Sequence, residues 1–108
     1  MTNNTFDITG ISSATGGSQA LLAFNVHLAS IQLIWSGTPV GSLKLQASND
    51  RVVPTNWEDI ADTAVAVNGS GSQMWNVHRI GYGWIRVFFT YTSGTGTFTG
   101  TAILKRNL

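Results

Sequence analysis

Apolar residues recur at every second position through much of the chain. In Leu43-Lys44-Leu45-Gln46-Ala47 this spacing puts Leu43, Leu45 and Ala47 on one face of a strand and leaves Lys44 and Gln46 to face water. Phe6–Ile11 alternates in the same way. Thr97–Lys105 sets Thr97, Thr99, Thr101 and Ile103 against Phe98, Gly100, Ala102 and Leu104. Gly83–Tyr91 departs from this pattern. Ile85, Val87, Phe89 and Tyr91 form one apolar face, yet Trp84, Arg86, Phe88 and Thr90 on the other are too apolar for a side that meets only water. The pattern predicts a strand covered on both faces.

Ala20–Trp35 is too long for one ordinary strand and predicts two, meeting near Ala29-Ser30; a helix over Gln19–Leu28 is the competing reading. Trp57–Ile60 and Ala64–Val67 add short extended segments. Between these runs lie a loop over Ser12–Ser18 centred on Gly16-Gly17, a turn at Gly37–Gly41, and a polar loop over Ser48–Asn56. Pro54 keeps that loop from continuing the ladder, since proline has no backbone donor. Two similar connectors, Asn68-Gly69-Ser70-Gly71-Ser72 and Ser93-Gly94-Thr95-Gly96-Thr97, sit between strand-like runs and predict hairpin loops. Neither precedes a helix, so neither reads as a phosphate cradle.

These segments predict an all-β fold: a single-domain antiparallel β-sandwich or jelly-roll of about eight or nine strands. The domain spans residues 1–108, with 1–5 a flexible or partner-contacting N-terminal arm. The length of 108 residues suits one core. Hydrophobic residues make up 43% of the chain and charged ones 10%, a balance that excludes intrinsic disorder.

Charge and missing residue types narrow the function. Six basic residues against five acidic give a net charge of +1, and the basic residues are dispersed from Lys44 to Arg106. A nucleic-acid binder concentrates positive charge to neutralise phosphates, so no nucleic-acid partner is expected. The chain has no cysteine, and hence no disulfide, thiolate nucleophile or zinc-thiolate site. Met1–Thr5 lacks the start of a secretion signal, and Ala20–Trp35 is interrupted by Asn25, His27, Ser30 and Gln32, so neither export nor membrane insertion is expected.

Catalytic chemistry is sparse. His27 and His78 are the two histidines, and neither lies in a nucleophile motif, so both read as structural or interface residues. Asp50, Glu58, Asp59 and Asp62 could frame a carboxylate pair or a calcium site. Adjacent Glu58 and Asp59 point to opposite faces of a strand, however, and a solvated rim is expected instead. The protein is therefore read as a non-enzyme with no cofactor and no metal. Among four tryptophans, Trp35 and Trp84 lie inside apolar runs and read as packed. Trp57 and Trp75 lie beside polar loops and are the candidates for exposed rings, although burial is the ordinary fate of tryptophan.

Leu43-Lys44-Leu45-Gln46-Ala47-Ser48-Asn49-Asp50, followed by Asn56-Trp57-Glu58-Asp59-Ile60, resembles the strand-loop-Trp pattern of discoidin-like, galactose-binding β-sandwich domains. Tyr82-Gly83-Trp84-Ile85-Arg86-Val87 is similar to their aromatic-x-Arg-hydrophobic strand. With Ser93-Gly94-Thr95-Gly96-Thr97 and the strand after it, the arrangement resembles small bacteriophage virion structural proteins of the decoration type, over Leu43–Lys105. The resemblance implies a sandwich in which Trp57 anchors a loop against the core and Arg86 projects from a central strand. It implies a virion location after synthesis in a host cytoplasm. Within that context the apolar outer face of Trp84–Tyr91 predicts a closed homo-oligomer, a trimer in particular, and contact with other virion proteins such as a capsid protein. Candidate interface residues are Trp75, His78, Tyr82, Trp84, Arg86 and Phe88, since aromatic and arginine side chains dominate interface energetics. The alternative is a carbohydrate-binding module for cell-surface attachment, with Asn56, Trp57, Trp75, Asn76 and Tyr82 contacting a glycan.

Overall fold

A computed structural model describes residues 2–24, 26–78 and 80–106. Among them, ten strands run in chain order: β1 (Thr2–Ile8), β2 (Gly16–Gly17), β3 (Leu21–Leu22), β4 (Val26–Gly37), β5 (Val40–Ser48), β6 (Glu58–Asp59), β7 (Val65–Asn68), β8 (Gly71–His78), β9 (Trp84–Ser93) and β10 (Gly96–Arg106). They form two antiparallel sheets packed face to face. The four-stranded sheet has the order β1-β10-β4-β8. In the six-stranded sheet β9 and β5 are central, with β2 and β3 flanking β9 and with β6 and β7 flanking β5. Among the described residues, no helix is long and apolar enough to cross a membrane.

Alternation builds the core. Ile85, Val87 and Phe89 of β9 and Leu43 and Leu45 of β5 are fully buried, and they face Ile31 and Leu33 of β4 and Ala102 and Leu104 of β10. Phe98 of β10 crosses the gap to pack its ring 5.0 Å from that of Phe89. The two sheets thus meet through the faces predicted for β5, β9 and β10. Tyr91, assigned to the same face as Phe89, lies past the end of the core and is 37% exposed.

Three local expectations are corrected. Residues 20–35 contain two strands, but the break falls at Ala23 and Phe24, where Ala23 N–H donates to the Gly83 carbonyl and Val26 N–H to Ala23. Ala29 and Ser30 keep the in-out alternation, so β4 continues through them and pairs with β10 along its whole length. Residues 2–5, read as an arm, belong to the edge strand β1, which pairs with β10 from Thr2↔Arg106 to Ile8↔Gly100; Met1 lies outside the described residues. Finally, neither glycine connector is a hairpin. Asn68–Ser72 passes from β7 in one sheet to β8 in the other, and Ser93–Thr97 passes likewise from β9 to β10.

Together with the β4–β5 turn, these two connectors make three arches at one end of the sandwich. Each has a glycine with positive φ: Gly37 at 91°, Gly69 at 80° and Gly94 at 79°. The arches bind one another. Thr38 N–H donates to the Thr95 carbonyl at 2.8 Å and Gly69 N–H to the Pro39 carbonyl at 2.9 Å. A side chain at Gly94 would collide with the Thr38 carbonyl, so this glycine is required both by its backbone angle and by its neighbour.

Candidate assembly surface

The outer face of β9 carries Trp84, Arg86 and Phe88, all half-buried. Their counterparts on the paired strand β5 are Ser48, Gln46 and Lys44. The Arg86 side chain crosses Gly17 of β2 so closely that a Cβ there would lie 2.8 Å from its Cδ and 2.9 Å from its Nε. Glycine at that position leaves room for the guanidinium to pass close over the strand.

Arg86 is fixed from several directions. Its Cζ stands 4.2 Å from the ring centroid of Trp57 and 5.1 Å from that of Phe88. Its Nε–H donates to Gln46 Oε1 at 2.8 Å. Gln46 Nε2–H in turn donates to Asp59 Oδ1 at 3.0 Å, and Lys44 Nζ pairs with Asp59 Oδ2 at 2.9 Å while lying 5.6 Å from the Phe88 centroid. The result is a continuous polar and aromatic platform across β6, β5 and β9. Hydrogen bonds from Gln46 and then Lys44 hold the Asp59 carboxyl below its usual range, and burial pushes the Arg86 guanidinium down from its own. Gln46, predicted to face water, is buried because Arg86 and Asp59 enclose it.

The chain's own loops supply part of the cover predicted for this face. Phe24 meets Trp84 edge-on at 6.2 Å, and Trp84 Nε1–H donates to the Asp50 carbonyl at 2.8 Å. Asp50 organises the loop that carries Trp57, accepting from Asn56 N–H at 2.8 Å and Thr55 N–H at 2.6 Å. Those two backbone donors, Asn56 first, lower its pKa from 3.8 to about 2. Trp57 therefore anchors its loop on Arg86 outside the sheet, where the family resemblance implied an anchor against the core.

The remaining candidates lie elsewhere. Trp75 of β8 is 5% exposed, points into the core and donates Nε1–H to the Thr63 carbonyl at 2.9 Å, so its ring is not the exposed one its sequence neighbours suggested. His78 and Asn76 are exposed on the same strand of the four-stranded sheet, away from Arg86. Tyr82 is half-buried between two clefts. The smaller, about 260 Å³, also takes in Asn56 and Glu58; the larger, about 550 Å³, runs between Ile60–Thr63 and Gln73–His78. Of the residues predicted for a glycan, Asn56 and Tyr82 share the smaller cleft, while Trp57 has one contact face taken by Arg86. His27 lies on β4, in the sheet opposite Asp50, Glu58 and Asp59.

Sequence reasoning identified Arg86, Phe88 and Trp57 but assigned them to two different roles. It missed Gln46, Asp59 and Gly17. The outward position of Gln46 beside Arg86 needed the β5–β9 register, and the room left at Gly17 needed the β2–β9 pairing.

No protein-family model and no curated protein sequence matches the chain. Solved structures match it in fold. The SPBc2 prophage-derived protein YomS aligns over 96% of this chain and 95% of its own, with a TM-score of 0.61 at 9% identity. A protein of Bacillus endospore appendages, described as disulfide-linked pili, covers 98% of this chain with 87% of its own, at a TM-score of 0.47 and 16% identity. The Tobacco streak virus coat protein, solved as a dimer, covers 98% with 88% of its own, at 0.48 and 8% identity.

Proposed function

We propose that the protein is a non-enzymatic structural subunit of a bacteriophage virion, a capsid decoration or other particle-surface protein that associates with copies of itself. The observation that carries this reading is the outer face of β9, where Trp84, Arg86 and Phe88 remain half-open after the chain's own loops have folded over it. Aromatic and arginine side chains held rigid on a flat sheet are the composition of an interface centre. Burial contributes about 25 cal/mol per Å² of apolar area, so a patch of ~800 Å² per subunit supports association once the entropy of docking is met.

Topology and likeness support the virion context. We read the order β1-β10-β4-β8 against β2/β3-β9-β5-β6/β7, with chain crossings between the sheets, as a jelly-roll, an architecture used by viral capsid domains. The full-length likeness in fold to a prophage-derived protein agrees with it. The acidic residues have structural work: Asp50 closes a loop and Asp59 completes the platform.

Sedimentation of the purified protein, combined with antibody labelling of purified phage particles, tests this. The expected result is a closed oligomer, a trimer in the simplest case, and label on the particle surface. A protein that stays monomeric and is absent from particles overturns it.

A further inference from the structure

Arg86 has an unused half. A guanidinium presents a fork of donors, and here Nε–H is committed to Gln46 while Cζ lies near the rings of Trp57 and Phe88. Among the described residues, the Nη groups donate no hydrogen bond, and no carboxylate approaches within ion-pairing distance; the one ion pair joins Lys44 to Asp59. Asp59, the nearest acid in the network, reaches Arg86 only through Gln46. The cation is thus partly dehydrated, immobilised and, among the described residues, without a counter-charge. Arg51, Lys105 and Arg106 likewise lack an acidic partner among the described residues, but none is held by a hydrogen bond and aromatic rings as Arg86 is.

Carboxylates are left over too. Of the five acidic residues, Asp50 and Asp59 are engaged. Asp7, Glu58 and Asp62 are exposed, and their side chains pair with no group among the described residues. An immobilised fork loses little freedom when a carboxylate docks on it with two parallel hydrogen bonds, so the arrangement is preorganised for that group.

We propose that the free Nη edge of Arg86 receives an aspartate or glutamate carboxylate from a second copy of this chain, seated on the outer face of the six-stranded sheet. This rests on the assembly reading above and names its central contact. Charge complementarity selects the occupant: among the described residues each copy offers an immobilised cation with no acidic partner, Arg86, and three unpaired acids. Asp7 belongs to the other sheet, so docking through Asp7 is head-to-tail, the contact type that builds a ring when its rotation closes. Glu58 lies on the same sheet as Arg86, and docking through it favours a two-fold pair.

The test is a concentration series by analytical ultracentrifugation on the full chain. Arg86→Gln and Arg86→Lys, the second keeping charge but losing the fork, are each expected to weaken association by at least roughly 30-fold. One of Asp7→Arg, Glu58→Arg or Asp62→Arg is expected to do the same and to regain association when combined with Arg86→Glu. Asp7 and Glu58 are exposed and unpaired on strands, so their variants leave the fold intact whatever happens at Arg86, while Asp62, at φ 64°, adds a backbone cost to its variant. If the wild type associates and neither Arg86 nor any acid variant changes it, the inference fails and the assembly reading stands. A wild type that is monomeric yet present in particles overturns the second-copy contact alone. A wild type that is monomeric and absent from particles overturns both.

Discussion

Replacing Gly17 with alanine adds one methyl group beneath Arg86. That Cβ would lie 2.8–2.9 Å from Cδ, Nε and Nη1 of Arg86, whereas carbon atoms in contact settle near 3.5–4.0 Å, so the side chain must lift by about 1 Å. Trp57 blocks an easy retreat at 4.2 Å, and the Nε–Gln46 bond of 2.8 Å stretches out of range. A hydrogen bond to a charged group contributes about 1.5–3 kcal/mol, discounted here because Arg86 is half-exposed, and stacking adds about 1 kcal/mol. Alanine returns roughly 0.4–1 kcal/mol by stiffening the unfolded chain. The net expectation is a loss of about 1–2 kcal/mol, seen as a melting temperature lower by roughly 5–10 °C. Thermal melts of Gly17→Ala, Arg86→Met and the double variant measure it. In the Arg86→Met background the alanine should cost much less, because the rigid stack is already gone. A Gly17→Ala protein as stable as the wild type would refute the claim that Arg86 is clamped there.

Trp75→Phe removes the indole N–H and leaves the Thr63 carbonyl unpaired, at an expected cost of about 2–3 kcal/mol in chemical denaturation with faster amide exchange across residues 60–63; a change below about 0.5 kcal/mol contradicts this. Gly94→Ala forces alanine to a φ of 79° against the Thr38 carbonyl and should lower stability by at least about 2 kcal/mol, whereas an unchanged melting temperature would show that the arches are free to separate. Asp50 has a folded pKa near 2, below its ordinary 3.8, so its contribution is present above pH 4 and is lost as pH falls toward 2. Asp50→Asn should therefore flatten the acid limb of stability in urea melts between pH 5 and 2, and identical acid limbs in the two proteins would exclude that role.

Strand positions were legible because a half-buried strand writes its two faces directly into the sequence. Leu43 and Leu45, Ile85, Val87 and Phe89, and Phe98, Ala102 and Leu104 all face inward as their spacing requires. Partnership was not legible. The glycines at 69 and 94 mark reversals, but a hairpin and an inter-sheet arch need the same positive φ, and only long-range pairing separates them. The same gap explains the platform. Arg86 was visible as an outward residue on a strand too apolar for water, yet Gln46, Asp59 and Gly17 become its neighbours only through the order β2-β9-β5-β6. Trp75 misled because the polar loop beside it in sequence is not its surrounding in space; alternation on β8 turns it inward.

Hydroxyl-radical footprinting of the purified protein, from dilute to concentrated solution, asks directly whether the arginine platform is where subunits meet. As the oligomer forms, Trp57, Trp84 and Phe88 should lose reactivity, whether or not Ile34 and Met74 on the opposite sheet, the face that carries Asp7, are covered as well. Loss of reactivity at Ile34 and Met74 with the platform unchanged would contradict the account.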